Sequence, residues 1–109
     1  MNHLRNHVQL IGHLAKEVEF EKSASGNAIA RVSLATKEVV ESNTGDKVVE
    51  THWHHLVGCG KVAEIMQVLL KKGKEVAIQG KLIHRPIEDN NGKTHLMSEV
   101  RVNEFMLLR

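Results

Sequence analysis

The feature that most constrains this chain is an alternation of apolar and polar residues with period two, which recurs along the sequence and gives way to helical spacing only once. Val8, Leu10, Gly12 and Leu14 alternate with Gln9, Ile11 and His13, the pattern of a strand that turns one face to a core. A first strand is expected within Leu4–Leu14. Lys22-Ser-Ala-Ser-Gly-Asn27 is a turn signal, and Ile29-Ala-Arg-Val-Ser-Leu-Ala-Thr36 resumes a β pattern beyond it. Ser42-Asn-Thr-Gly-Asp46, flanked by Val39-Val40 and Val48-Val49, predicts a hairpin tip whose return strand runs towards Val57. Val76, Ile78, Gly80 and Leu82 make a fourth strand. Glu88-Asp-Asn-Asn-Gly92 is a second tip, with Pro86 at its edge, and Leu96, Val100 and Val102 begin a fifth strand ending near Leu108.

The exception falls between the third and fourth strands. After Gly58-Cys-Gly60, the residues Val62, Ile65, Met66 and Leu69 recur at helical spacing, and Lys71-Lys72 followed by Gly73 reads as a basic last turn with a C-terminal cap. The apolar stripe of this helix is assigned to the core. The order is therefore βββαββ, an all-β chain with one helix between strands 3 and 4. That is the layout of a five-stranded OB-fold barrel, in which the helix closes one end and long loops flank a ligand-binding sheet.

Bulk composition limits the functions such a barrel can have. The 109 residues suit one domain, 1–109, with one modest core. No apolar run reaches the roughly 18–20 residues that cross a membrane, and the opening Met-Asn-His-Leu-Arg-Asn-His lacks a signal peptide's apolar stretch. A cytoplasmic location is expected, and the single cysteine, Cys59, excludes an internal disulfide. The net charge of +2, from 15 Lys and Arg against 13 Asp and Glu, does not by itself indicate a polyanionic partner, so the distribution of charge must decide. Aromatic residues are scarce: Phe20, Trp53 and Phe105.

Three features invite chemistry. His52 and His54 have the i, i+2 spacing that puts two imidazoles on one face of a strand. No Asp, Glu or Cys is fixed beside them by sequence, so neither a metal nor any other cofactor is expected. A metal-dependent enzyme built on His52–His55 would need a third ligand, and the reading is that no reaction is catalysed. Cys59 lies between two glycines without an assignable basic partner and reads as a small hydrophobe. The lone Gly58-Cys-Gly60 lacks the further glycine and the βαβ setting of a nucleotide fold. Trp53 admits three readings: an exposed platform, a core filler, or part of a subunit interface.

Along almost its whole length the chain resembles the bacterial single-stranded-DNA-binding proteins. His7-Val-Gln-Leu-Ile-Gly-His-Leu14 is similar to that family's opening strand, and Ser25-Gly-Asn-Ala-Ile-Ala-Arg-Val-Ser-Leu-Ala-Thr36 to its loop and second strand. Trp53-His-His-Leu-Val-Gly-Cys-Gly-Lys-Val-Ala-Glu64 resembles its most recognisable stretch, and Leu70-Lys-Lys-Gly-Lys-Glu-Val-Ala-Ile-Gln-Gly-Lys-Leu82 follows at the expected spacing. The resemblance implies a homo-oligomer, a tetramer or else a dimer, that coats single-stranded DNA in replication, recombination and repair. It places the protein in the cytoplasm with the nucleoid.

By position the resemblance makes Trp53 a stacking platform, Lys61, Lys72 and Arg85 basic contacts along the DNA path, and His54 a subunit-interface residue. Lys37, Lys81, Lys93 and Arg101 are added from strand and loop placement, where the ordinary reading is a solvated face. Three positions that carry rings in the family are here Val40, Cys59 and Ile87. At roughly 1–3 kcal/mol per base–ring stack, binding is expected to be weaker or to lean on charge. The chain also ends at Arg109 without the family's acidic tail, so recruitment of other proteins through such a tail is not expected. The alternative within binding modules is a diverged or primosomal-type OB-fold accessory whose main partner is a protein.

Overall fold

The computed structural model describes residues 4–109; the first three residues of the opening segment lie outside the described residues. The strands are β1 (Val8–Leu14), β2 (Glu19–Lys22), β3 (Ala28–Glu41), β4 (Lys47–Cys59), β5 (Glu75–Glu88) and β6 (Thr94–Leu107), with one helix, α1 (Lys61–Leu69), between β4 and β5. They form one sheet in the order β1-β5-β6-β4-β3-β2, which β1 closes by also pairing with β3. β1 runs antiparallel to β5 from Val8 to His13 and meets β3 through His13 and Leu14. The expected closed OB barrel with its helix between the third and fourth barrel strands is present.

Three details differ from the sequence reading, each for a local reason. The first barrel strand is split into β1 and β2. Glu19-Phe-Glu-Lys22 carries a single apolar residue, Phe20, and so shows no period to read, yet it pairs with β3 and lays Phe20 on the core. The first strand starts at Val8 rather than Leu4 because the Asn6 side chain takes up the pairing with β5: Oδ1 accepts from the Leu82 N–H at 2.8 Å and Nδ2 donates to the Leu82 carbonyl at 2.9 Å. The helix stops at Leu69, so Lys71 and Lys72 lie outside its last turn. Leu70 turns extended and is buried. Gly73, with φ +88°, serves the turn that Lys74 N–H closes on the Lys71 carbonyl, instead of capping the helix.

The core comes from even-numbered strand positions. Leu14, Ala30, Val32, Leu34, Leu56, Val76, Ile78, Val100 and Val102 pack with Ala63, Met66 and Leu70 of the helix segment. Two hairpins leave this barrel as arms, β3–β4 and β5–β6. Residues 86–96 are all exposed, and between Lys37 and Trp53 only Val40 and Ser42 are not. Their tips share one loop. In each, an N–H-to-carbonyl bond closes a turn, Gly45 on Ser42 and Gly92 on Asp89, and the glycine has positive φ, the three-residue hairpin with a left-handed closing residue.

Barrel curvature depends on a close approach of backbones. At Gly80, beside the register shift between Gln79 and Gly80, a Cβ would run into the Arg101 carbonyl. At Gly58 it would meet the Met66 thioether first and then the Val62 side chain, and the unbranched thioether adapts more readily than a backbone carbonyl. Gly80→Ala is therefore expected to cost about 1–3 kcal/mol by overpacking and Gly58→Ala less, as measured by urea unfolding at fixed protein concentration.

Candidate nucleic-acid interface

Residues that face each other across a β ladder point to the same side of the sheet, so the register shows what the outward face presents. Since even positions fill the core, odd positions of β3, β4 and β5, and of β6 as far as Arg101, point out; beyond the register shift the parity of β6 reverses, with Phe105 on the core and Met106 outside. One row runs Lys81, Arg101, Val57, Arg31 across four strands; the neighbouring pairs are Ser33 with His55 and Ala35 with Trp53. Farther along the arms come Lys37 with Thr51, Arg85 with Met97, and Ile87 with His95. Trp53 is 61% exposed, so it is not a core filler. Five of the candidates, Trp53, Lys37, Lys81, Arg85 and Arg101, thus share one face.

The other three stand apart. Lys61 is the first residue of α1, and Lys72 lies in the turn after it, where its backbone N–H donates to Glu17 Oε1 at 3.2 Å. Lys93 closes the loop of the β5–β6 arm, its N–H donating to Asp89 Oδ1 at 2.9 Å. Of the positions that lack the family's rings, Cys59 and Ile87 share the Trp53 face, while Val40 falls on the opposite face of its arm by alternation.

The charges on this face are arranged at a cost. Lys81 and Arg101 sit directly opposite one another, are exposed, and their side chains have no ion pair or hydrogen bond among the described residues. Like charges so placed destabilise a sheet. Val57 lies between Arg101 and Arg31 and is nonetheless 4% exposed, as expected where stems of long cationic side chains flank an apolar residue.

Sequence reading passed over Glu99, which the structure makes central. It is 2% exposed on the outward side of β6, and its carboxylate accepts from Arg85 Nε at 3.0 Å and from Arg31 Nε at 3.5 Å. Burial opposes its ionisation, but the Arg85 hydrogen bond and charge, with Arg31, outweigh burial and hold its carboxyl below the usual glutamate value. The only signal in the sequence was an acid amid the apolar centre of a strand, Ser98-Glu-Val-Arg-Val102. Arg85 also donates to the Met97 sulfur at 3.7 Å, so this candidate contact is anchored in the fold.

The same alternation puts His52 and His54 on one side of β4 and His55 on the other. His54 points towards the core side beside Leu34, is half-buried, and pairs its Nε2 with Thr36 Oγ1 at 2.9 Å. Burial, then the charges of His52 and His55, hold it below the ordinary imidazole value. His52 lies 3.4 Å from Glu50. No group of three or more metal-ligating side chains comes together among the described residues.

Because the Glu99 carboxyl titrates below its unfolded value near 4.5, its stabilisation is present above that value and is lost as pH falls through the lowered folded value. Glu99→Gln should flatten that acid loss in urea titrations compared at pH 7 and 3.5. Arg85→Ala, which leaves the buried carboxylate with one distant partner, should cost about 1–3 kcal/mol at pH 7.

Comparison with known proteins matches this geometry. The chain is 36% identical over 104 residues to "Single-stranded DNA-binding protein 1" of Chlorobaculum tepidum, an alignment covering 94% of this chain and 64% of the relative. The chain thus spans less than two thirds of that relative's length. Among solved structures it superposes with a TM-score of 0.85 and 27% identity on the Plasmodium falciparum SSB in complex with ssDNA, over 95% of each chain. A deletion mutant of the single-stranded DNA binding protein from Thermus aquaticus superposes with a TM-score of 0.82 and 27% identity, over 95% of this chain and 50% of that one. The model of the single-strand binding protein family matches residues 5–108, almost the entire barrel with both arms, and the chain belongs to that family.

Proposed function

We propose that the chain binds single-stranded DNA without sequence preference, coating it in replication, recombination and repair, and catalyses no reaction. The observation that carries this reading is the outward face of the barrel. There an exposed Trp53 shares a sheet surface with Lys37 and with an opposed, partnerless Lys81–Arg101 pair. An aromatic platform beside unpaired cations is what sequence-tolerant single-strand binding needs, stacking for the bases and charge for the phosphates. Family membership and the likeness to an SSB in complex with ssDNA support it.

The assembly we infer is a homotetramer located with the nucleoid in the cytoplasm. Its support within this chain is a second surface: Ile11, Ala77 and Met106 are register partners across β1, β5 and β6, and Ile11 and Met106 are more than half exposed. An apolar row of this kind on an otherwise polar sheet fits contact with another copy. His54, hydrogen-bonded at the base of its arm, would act there by fixing the arm's shape. Light scattering should give a mass near four chains, and Met106→Lys should lower it.

Titrating labelled poly-thymidine at two salt concentrations while following Trp53 emission tests the main reading. Sub-micromolar, salt-sensitive binding with quenching is expected. No binding at low salt would overturn it in favour of a protein-partnered accessory. Trp53→Ala should lose about 1–3 kcal/mol of affinity. Lys81→Ala should weaken DNA binding and reduce the salt slope by about 0.7, yet leave the free protein as stable or more so, because it relieves the repulsion with Arg101.

A further inference from the structure

On the outward face a cleft of about 160 Å³ opens beside β3 and β4, lined among others by Lys16, Arg31, Ser33, His55, Met97 and Glu99. His55 is the residue two along β4 from Trp53 on the same face, roughly 7 Å away at the rise of a strand. It is exposed and is paired in register with Ser33. Unlike His52, His54, His84 and His95, which engage Glu50, Thr36, Ser98 and Asp89, its ring has no hydrogen bond or ion pair among the described residues.

The charges around it nearly cancel. Lys16 and Glu17 on the β1–β2 link, Glu19 on β2, Arg31 on β3 and Glu99 on β6 line the cleft, and Arg85 on β5 reaches it through Glu99. Three cations face three carboxylates. On its own strand the neighbours are His52, His54 and the neutral Trp53. A proton on His55 therefore tips the cleft to net positive, beside the cations Lys37 and Arg101 farther along the same face. Imidazole is the side chain whose charge changes between pH 5 and 8.

We propose that His55 is a DNA-contacting residue. Its protonated ring takes the phosphate next to the base stacked on Trp53, so that single-strand affinity rises as pH falls from 8 to 6. This rests on the single-strand-binding reading above. It deepens that reading by assigning a titratable phosphate contact to a position without one. Binding and proton uptake are linked: DNA that prefers the charged ring draws a proton onto it, and the proton in turn tightens DNA.

The test is poly-thymidine titration at pH 8 and pH 6 at several salt concentrations, with the full chain and the variants His55→Gln, His55→Lys and His52→Gln. Wild type should bind about three- to fivefold tighter at pH 6, the gain of one exposed ion pair, with a salt slope steeper by about 0.7. His55→Gln should lose most of that increment, and His55→Lys should bind tightly at both pH values. His52→Gln, altered on the opposite side of the same strand, should keep it. Equal pH dependence in wild type and His55→Gln, or its loss in His52→Gln alone, overturns the proposal while leaving the binding function intact. No binding at either pH overturns the function reading and the proposal together.

Discussion

The arms of this molecule leave the barrel from around one buried carboxylate. Glu99 sits on β6 at the level where β4 and β6 stop pairing, the last partners being Leu56 with Val100 and Val57 with Arg101. From there it holds Arg31 of β3 and Arg85 of β5. A carboxylate taken out of water is costly unless paired and hydrogen-bonded, so the arrangement is stable only with both arginines in place. That requirement ties the root of the β3–β4 arm to the root of the β5–β6 arm across a gap that no backbone ladder spans. The outward face is one surface, and not two independent hairpins, largely because of it.

The same interaction changes what Arg85 can offer a ligand. Sequence position and family resemblance mark it as a phosphate contact, and the structure leaves its side chain 41% exposed. Its Nε is committed to Glu99 and one terminal nitrogen to Met97, so only the remaining part of the guanidinium is available. Lys81 and Arg101 are the reverse case: added from strand placement alone, they turn out to be the pair with unspent charge. A contact that also holds the fold together contributes to affinity chiefly by positioning. Cations without a partner contribute by attraction, and they repel each other until an anion arrives.

How much of this was legible in the sequence follows from the periods involved. Alternation located every long strand, because each buries one face, but it left Trp53 open between platform, core and interface until the register and its exposure put it opposite Leu34, Leu56, Val76 and Ile78. It missed β2, which buries only Phe20, and it extended β1 to Leu4, because a side chain of Asn6 can imitate backbone pairing without any apolar signature. The helix end was misjudged since Lys71, Lys72 and Gly73 satisfy cap statistics, whereas the burial of Leu70 decides where the helix stops. Glu99, Arg31 and His55 were invisible for a different reason. Their roles come from side chains brought together from β3, β4 and β6, and no local spacing encodes a contact 68 residues apart.

Composition misled in an instructive direction. A net charge of +2 and three aromatic rings argue against a nucleic-acid surface if averaged over the molecule. The register shows that averaging is the error. Two carboxylates of the face are consumed: Glu99 by two arginines, and Asp89 by His95 and the arm's own loop. Beside Trp53 the sheet itself keeps Lys37, Lys81 and Arg101 without an ion pair among the described residues. With Cys59 and Ile87 on the Trp53 face where the resemblance led to the expectation of rings, stacking is left chiefly to Trp53 while the cations persist. On the proposed reading, the hold of this surface on a single strand responds more steeply to salt, and through His55 to protons, than that of one built on several rings, since stacking is indifferent to both.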